Sequence, residues 1–212
     1  MLVSNIAYFR VQSGPYFPTQ PTRAHFMENI ESAKLAPYGL LNTPAEMEYD
    51  AVTKLVSSIT GAPMVFINLV QDGHQFFKSA HGVGDLRYMH DPTSFCTYTI
   101  KVEGDHFEVE NALMDDRFKD NPLVAQEPHV RSYFGIPLRT EGMSKEDEAL
   151  GSLCILDTKP RVLSEIERNA LRFLADYTCR LFEMRKERLA LRSKSTGLER
   201  QNEELRLSLI HI

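Results

Sequence analysis

The chain has 212 residues, 42% apolar and 25% charged, with a formal net charge of −5. That composition predicts a packed globular core, and the acidic balance excludes the phosphate-neutralising surface on which nucleic-acid binding depends. Three cysteines without a CxxC pair, no secretion signal, and no apolar run near the ~18 residues of a membrane span predict a cytoplasmic chain without membrane contact.

Residues 1–24 carry Pro15, Pro18, Pro21 and Gly14 among scattered aromatics, and read as an extended N-terminal arm. From His25 a helical pattern runs through Phe26, Ile30, Ala33 and Leu35 until Pro37 and Gly39 interrupt it. Thr43-Pro44-Ala45-Glu46 then offers a cap hydroxyl, a proline at the first helical position and a glutamate three residues after the cap. Met47, Ala51, Leu55 and Ile59 recur every four residues behind it, and Gly61 predicts the end of that helix.

Met64–Val70 follows as a strand with Val65, Ile67 and Leu69 on one side and Met64, Phe66 and Val70 on the other. Apolar residues on both sides predict a central strand covered on both faces. Asp72-Gly73 signals a hairpin, with Gln75–Ser79 returning. His81 to Asp91 reads as a loop, and Ser94–Ile100 as a short helix. Phe107 and Val109 alternate with Glu108 and Glu110 in a strand with one wet face. Arg131–Arg139 and Gly151–Asp157 complete the strands, joined by a solvated loop.

The last third is one long helix. Ser164 and Glu167 have capping-box spacing, and no proline occurs from Arg161 onward. With Leu174 at heptad position a, the d positions are Tyr177, Met184, Leu191, Leu198, Leu205 and Ile212. The a positions Arg188, Ser195 and Asn202 are polar, and Gly197 costs about 1 kcal/mol per helix, so the seam predicts a marginal coiled coil. In a parallel homodimer, Glu187 with Arg192 and Lys194 with Glu199 attract, whereas Arg180 facing Arg185 repels mildly. Ending inside a heptad suggests a longer protein.

Several stretches together resemble the GAF family of small-molecule sensor domains. They are Leu40-Leu41-Asn42-Thr43-Pro44 with Tyr49-Asp50, FINLVQDGHQFFKS, TSFCTYTI, MDDRFKDNPLV, VRSYFGIPL and GSLCILDTKPRVLS. The resemblance spans Leu40 to about Leu181. It implies an α+β fold, in which a central antiparallel sheet carries helices on one face and a ligand pocket on the other. It also implies a division into the arm, a sensor domain at 25–181 and a coiled-coil signalling helix at 182–212. The output domain beyond that helix would be a diguanylate cyclase, hence cyclic di-GMP signalling, or the histidine kinase of a two-component system.

For ligand binding the sequence nominates Ser94, Phe95, Cys96, Asp116, Arg117, Phe118, Arg131 and Tyr133. Arg131 and Tyr133 lie two apart on one strand and so project to one face, suited to an anionic or aromatic ligand. The competing reading for Arg131 is a salt bridge to Asp115 or Asp116. Cys96 admits three readings: a nucleophile, a thioether attachment point for a bilin, or a small apolar residue of the pocket wall. Related sequences often carry histidine where this one has Tyr98, which favours the wall. No catalytic residue and no cofactor is assigned, and the histidines lack metal-ligand spacing. The alternatives to a sensor are a dimerisation module with a vestigial pocket and a cysteine-dependent enzyme resembling methionine sulfoxide reductases.

Overall fold

The computed structural model describes residues 34–210. In chain order it contains α1 (Met47–Thr60), β1 (Met64–Gln71), β2 (His74–His81), β3 (Tyr88–His90), α2 (Phe95–Thr99), β4 (Phe107–Val109), α3 (Pro122–Ala125), β5 (Ser132–Leu138), β6 (Gly151–Asp157) and α4 (Glu165–Ile210). The strands form one antiparallel sheet in the order β3-β2-β1-β6-β5-β4. The arm and most of the helix expected from His25 lie outside the described residues. Leu35 leads into a 3₁₀ turn, Ala36–Tyr38, closed by Gly39 at φ 53°.

The two-sided apolar pattern of β1 becomes two cores. Val65, Ile67 and Leu69 join Phe134 and Ile136 of β5 and Leu153 and Ile155 of β6 beneath α1 and α4. Met64, Phe66 and Val70 face the other way, with Cys154 and Leu156 of β6, Tyr133 of β5 and the short helices α2 and α3. The Asp72-Gly73 turn has both residues at positive φ, 49° and 77°, as a two-residue hairpin requires.

A bulge interrupts the β1–β2 ladder. The register steps from Ile67–Ser79 to Asn68–Phe77, leaving Lys78 as the extra residue. Phe77 therefore faces the pocket core, while Lys78 and Ser79 both turn toward α1.

Four local expectations are corrected. The residues buried on α1 are Tyr49, Val52, Thr53, Val56 and Thr60. The row Met47, Ala51, Leu55, Ile59 faces outward, with Met47 83% exposed. No capping box forms before α1, because Glu46 is itself the extended cap residue and its carboxylate is taken by distant cations. The loop after His81 contains β3, which pairs with β2. At β4 the wet face is occupied, since Arg168 of α4 grips Glu108 with two bonds of 2.7 and 2.8 Å.

The capping box before α4 forms as expected. Ser164 N–H donates to Glu167 at 2.8 Å and Glu167 N–H donates back to Ser164 Oγ at 3.3 Å. Leu171, Leu174, Ala175, Thr178 and Phe182 dock α4 on the sheet. From Ala190 to Leu207 every residue is exposed, so the distal part of a 46-residue helix, about 69 Å long, projects from the domain.

Candidate ligand pocket

The face of the sheet opposite α1 and α4 is roofed by α2, by the Val83–Met89 segment and by the Leu123–Val130 segment. Together they close over a cavity of about 30 Å³. Its wall includes Phe66, Gln75, Phe77, Met89, Ser94, Phe95, Cys96, Val130 and Tyr133. Formed pockets for drug-sized ligands run to about 300–1,000 Å³, so this one is nearly filled by its own side chains.

The filling is aromatic. Phe95 lies between Phe118 and Tyr133, with centroids at 4.1 and 5.0 Å and planes nearly parallel. Tyr133 occupies the space over Gly135, where an added Cβ would fall 2.3 Å from the Tyr133 hydroxyl. That hydroxyl lies 2.7 Å from Thr99 Oγ1 and 3.7 Å from Cys96 Sγ.

A polar line that sequence reasoning missed crosses the same face. Ser152 donates to Asn68 at 2.7 Å, Asn68 Nδ2 to Gln75 Oε1 at 2.9 Å, and Gln75 Nε2 to Ser94 Oγ at 2.8 Å. Ser94 in turn caps α2, accepting from Thr97 N–H. The available signal was an asparagine inside the otherwise apolar run Met64–Val70, since a buried amide needs partners.

Five nominated residues thus converge: Ser94, Phe95, Cys96, Phe118 and Tyr133 are buried together. The other three do not join them. Arg117 pairs with Asp115 at 2.6 Å and lies over the Phe107 ring at 4.9 Å, covering the cluster from outside. Asp116 is 94% exposed and pairs with Lys119. Arg131 turns to the carbonyls of Val124 and Val130 at 2.9 and 3.0 Å, so no salt bridge to Asp115 or Asp116 forms.

The cysteines are closer than their separation in sequence suggests. Cys96 Sγ lies 3.8 Å from Cys154 Sγ, both buried. The hydrogen bond from Cys154 holds the Cys96 thiol below its usual range, with Tyr133, Asn68 and Ser152 adding to it against burial. Burial pushes Cys154 well up.

Behind the pocket wall a buried ion cluster reaches α4. Lys78 Nζ, its side chain fully enclosed, donates to Glu46, to Thr43 Oγ1 at 2.6 Å and to Pro44 O at 3.1 Å. Arg185 of α4 holds the same Glu46 carboxylate at 2.6 and 2.8 Å and also donates to the Tyr38 and Gly39 carbonyls. Burial lowers the pKa of Lys78. Burial would raise that of Glu46, but Lys78 and Arg185 outweigh it and hold the carboxyl below its usual range. Arg185, expected from its heptad position to face Arg180 of a second copy, is engaged within the chain by Glu46.

A helix-backed antiparallel sheet with a roofed pocket on its other face, and a helix running out of the fold, defines a domain of α+β class. The chain belongs to the GAF domain family, whose model matches residues 44–179. Over 135 residues it is 36% identical to a cyclic di-GMP phosphodiesterase of Pseudomonas aeruginosa, a match covering 63% of this chain and 22% of that one. The chain therefore spans about a fifth of that relative's length. Two solved structures share the fold at a TM-score of 0.52. One is a domain of a two-component sensor histidine kinase protein from Sinorhizobium meliloti, 18% identical, with 68% of this chain and 95% of that one covered. The other is a type II free methionine-R-sulfoxide reductase from Thermoplasma acidophilum, 16% identical, with coverage of 65% and 91%. Among the described residues no helix is long and apolar enough to cross a membrane, and no group of three or more His, Cys, Asp or Glu is placed to hold a metal ion.

Proposed function

We propose that this chain is the small-molecule-sensing module of a cytoplasmic cyclic di-GMP signalling protein. In this reading, occupancy of the pocket changes how α4 is held, and α4 carries the change to an output domain. The observation that supports it most is the β2 bulge. Phe77 forms the pocket wall, and the next residue, Lys78, is tied through Glu46 to Arg185 on α4. A ligand that moves Phe77 acts on that cluster, and it shifts the balance of α4 positions by as much as it binds them unequally.

The output is assigned to cyclic di-GMP turnover ahead of a histidine kinase, because the relative of higher identity is a cyclic di-GMP enzyme. The helix joins a second copy as a parallel coiled coil. The outward d row Tyr177, Met184, Leu191, Leu198 and Leu205, 45–66% exposed, supports this pairing. The chain itself catalyses nothing in this reading.

The small cavity favours a second reading, a dimerisation module whose pocket is vestigial. In the sensor reading the Phe95–Phe118 stack must part to admit a ligand larger than a few atoms. Native mass spectrometry of gently purified protein separates the two. A retained small molecule, displaced by Phe77→Ala, supports sensing. A bare dimer that gains no mass from a cell metabolite extract refutes it.

A further inference from the structure

We propose that Cys96 and Cys154 form a dithiol that a small hydroperoxide oxidises to an intramolecular disulfide inside the pocket. The geometry carries this. Cys96 opens α2 and Cys154 sits at the centre of β6, yet their sulfurs are 3.8 Å apart. A disulfide needs them about 1.8 Å closer.

Room for the oxidant exists beside Cys96. The cavity of about 30 Å³ has Cys96 in its wall, and about 10–15 Å³ holds one water. It therefore admits a molecule with two oxygen atoms, while a bulky disulfide such as oxidised glutathione is excluded. Discrimination by size follows from the aromatic filling of the pocket.

The two thiols differ in the direction this chemistry needs. Cys96 accepts hydrogen bonds from Cys154 and Tyr133, which stabilise its thiolate, while burial keeps Cys154 protonated. In the first step the Cys96 thiolate attacks one peroxide oxygen. The O–O bond breaks, Cys96 becomes a sulfenic acid, and the departing hydroxide takes a proton to leave as water. In the second step the Cys154 sulfur attacks the Cys96 sulfur and gives up its proton. The S–O bond breaks and hydroxide leaves as a second water. Two thiols are oxidised by two electrons and one peroxide is reduced by two. An external dithiol reverses the change.

Cys179 is the internal reference. It lies on α4 away from the pocket cluster, and burial pushes its thiol up to about 12.

The inference is independent of the ligand reading, because its test reads thiols and neither ligand nor output. The 212-residue protein is treated with graded hydrogen peroxide, denatured, alkylated with N-ethylmaleimide and weighed. The exposed Met47 and Met114, 83% and 82% accessible, calibrate the dose. The expected result is loss of two of the three alkylation equivalents before those methionines oxidise, restored by dithiothreitol. Peptide mapping then finds Cys96 joined to Cys154 with the loss of two hydrogens. Cys179→Ser should behave identically, with no equivalent left. Cys154→Ser should instead yield a dimedone-trappable sulfenic acid at Cys96. Retention of all three equivalents once the methionines are oxidised overturns the proposal, as does a disulfide that contains Cys179. The wild-type and Cys179→Ser maps decide the matter even if Cys154→Ser does not fold.

Discussion

Glu46→Ala should destabilise the domain by about 3 kcal/mol, far more than an ordinary change at a residue that is one-fifth exposed. The carboxylate neutralises two cations at once, Lys78 with a fully buried side chain and Arg185 at 13% exposure. Breaking a buried pair by removing one partner costs about 3–5 kcal/mol. The low end applies here because Lys78 keeps Thr43 Oγ1 and Pro44 O, and Arg185 keeps two carbonyls. Lys78→Met removes the buried charge at similar volume and leaves Glu46 paired with Arg185, so its cost should be about 1 kcal/mol. The double variant should then be more stable than Glu46→Ala alone, a non-additivity of about 2 kcal/mol. Urea midpoints with unchanged m values measure all three.

The pH dependence of the gap is a further check. Lys78 has a folded pKa below its ordinary 10.5, and losing Glu46 depresses it more. The penalty of Glu46→Ala is full below that folded value and is relieved as pH rises through it toward 10.5, because a neutral amine needs no counter-charge. Equal costs for the two single variants, or a double variant equal to their sum, would refute the assignment of Glu46 as the common counter-ion.

Other outcomes are expected from the same structure. Glu46, Asp115 and Glu167 all sit below their ordinary values of 4.5, 3.8 and 4.5, held there mainly by Lys78 and Arg185, by Arg117 and by Ser164. Their stabilisation is complete above those values and lost as pH falls through the folded ones, and Glu46→Gln should flatten the acid limb of a stability profile. Gly135→Ala places a methyl against the Tyr133 ring and should cost about 1–3 kcal/mol in denaturant unfolding, whereas Gly142→Ala meets open space and acts only through its φ of 88°. Replacing Leu191 and Leu198 together by Glu should halve the mass seen by light scattering while leaving the far-ultraviolet signal of the domain intact. An unchanged mass would reject α4 as the principal interface.

What the sequence disclosed and what it withheld divide along a physical line. The faces of β1, the Asp72-Gly73 hairpin and the Ser164–Glu167 cap each depend on residues close in sequence, and all three stand in the structure. The α1 start is different. Thr43-Pro44-Ala45-Glu46 has a convincing local pattern, but two cations from 32 and 139 residues away compete for Glu46 and win. The apolar row Met47, Ala51, Leu55, Ile59 is real, yet periodicity tells that a face exists without telling which of two faces meets the sheet. Of the pocket, Ser94, Phe95, Cys96, Phe118 and Tyr133 were legible from their motifs. Asn68, Gln75, Ser152 and the proximity of Cys154 to Cys96 were not, because cross-strand register decides them.

The β2 bulge separates two tasks that one strand would ordinarily confuse. Residues two apart on a regular strand share a face, so Phe77 in the pocket and Ser79 beside α1 would be incompatible without the inserted Lys78. Deleting Lys78 would heal the ladder with every neighbour still in its pairing and on its present side. The sheet has no need of the residue, and its polar contacts all lie in the segment leading into α1. Under the proposed sensing scheme, deleting Lys78 should therefore leave ligand binding at Phe77 intact while removing the link to Arg185 that the response would need.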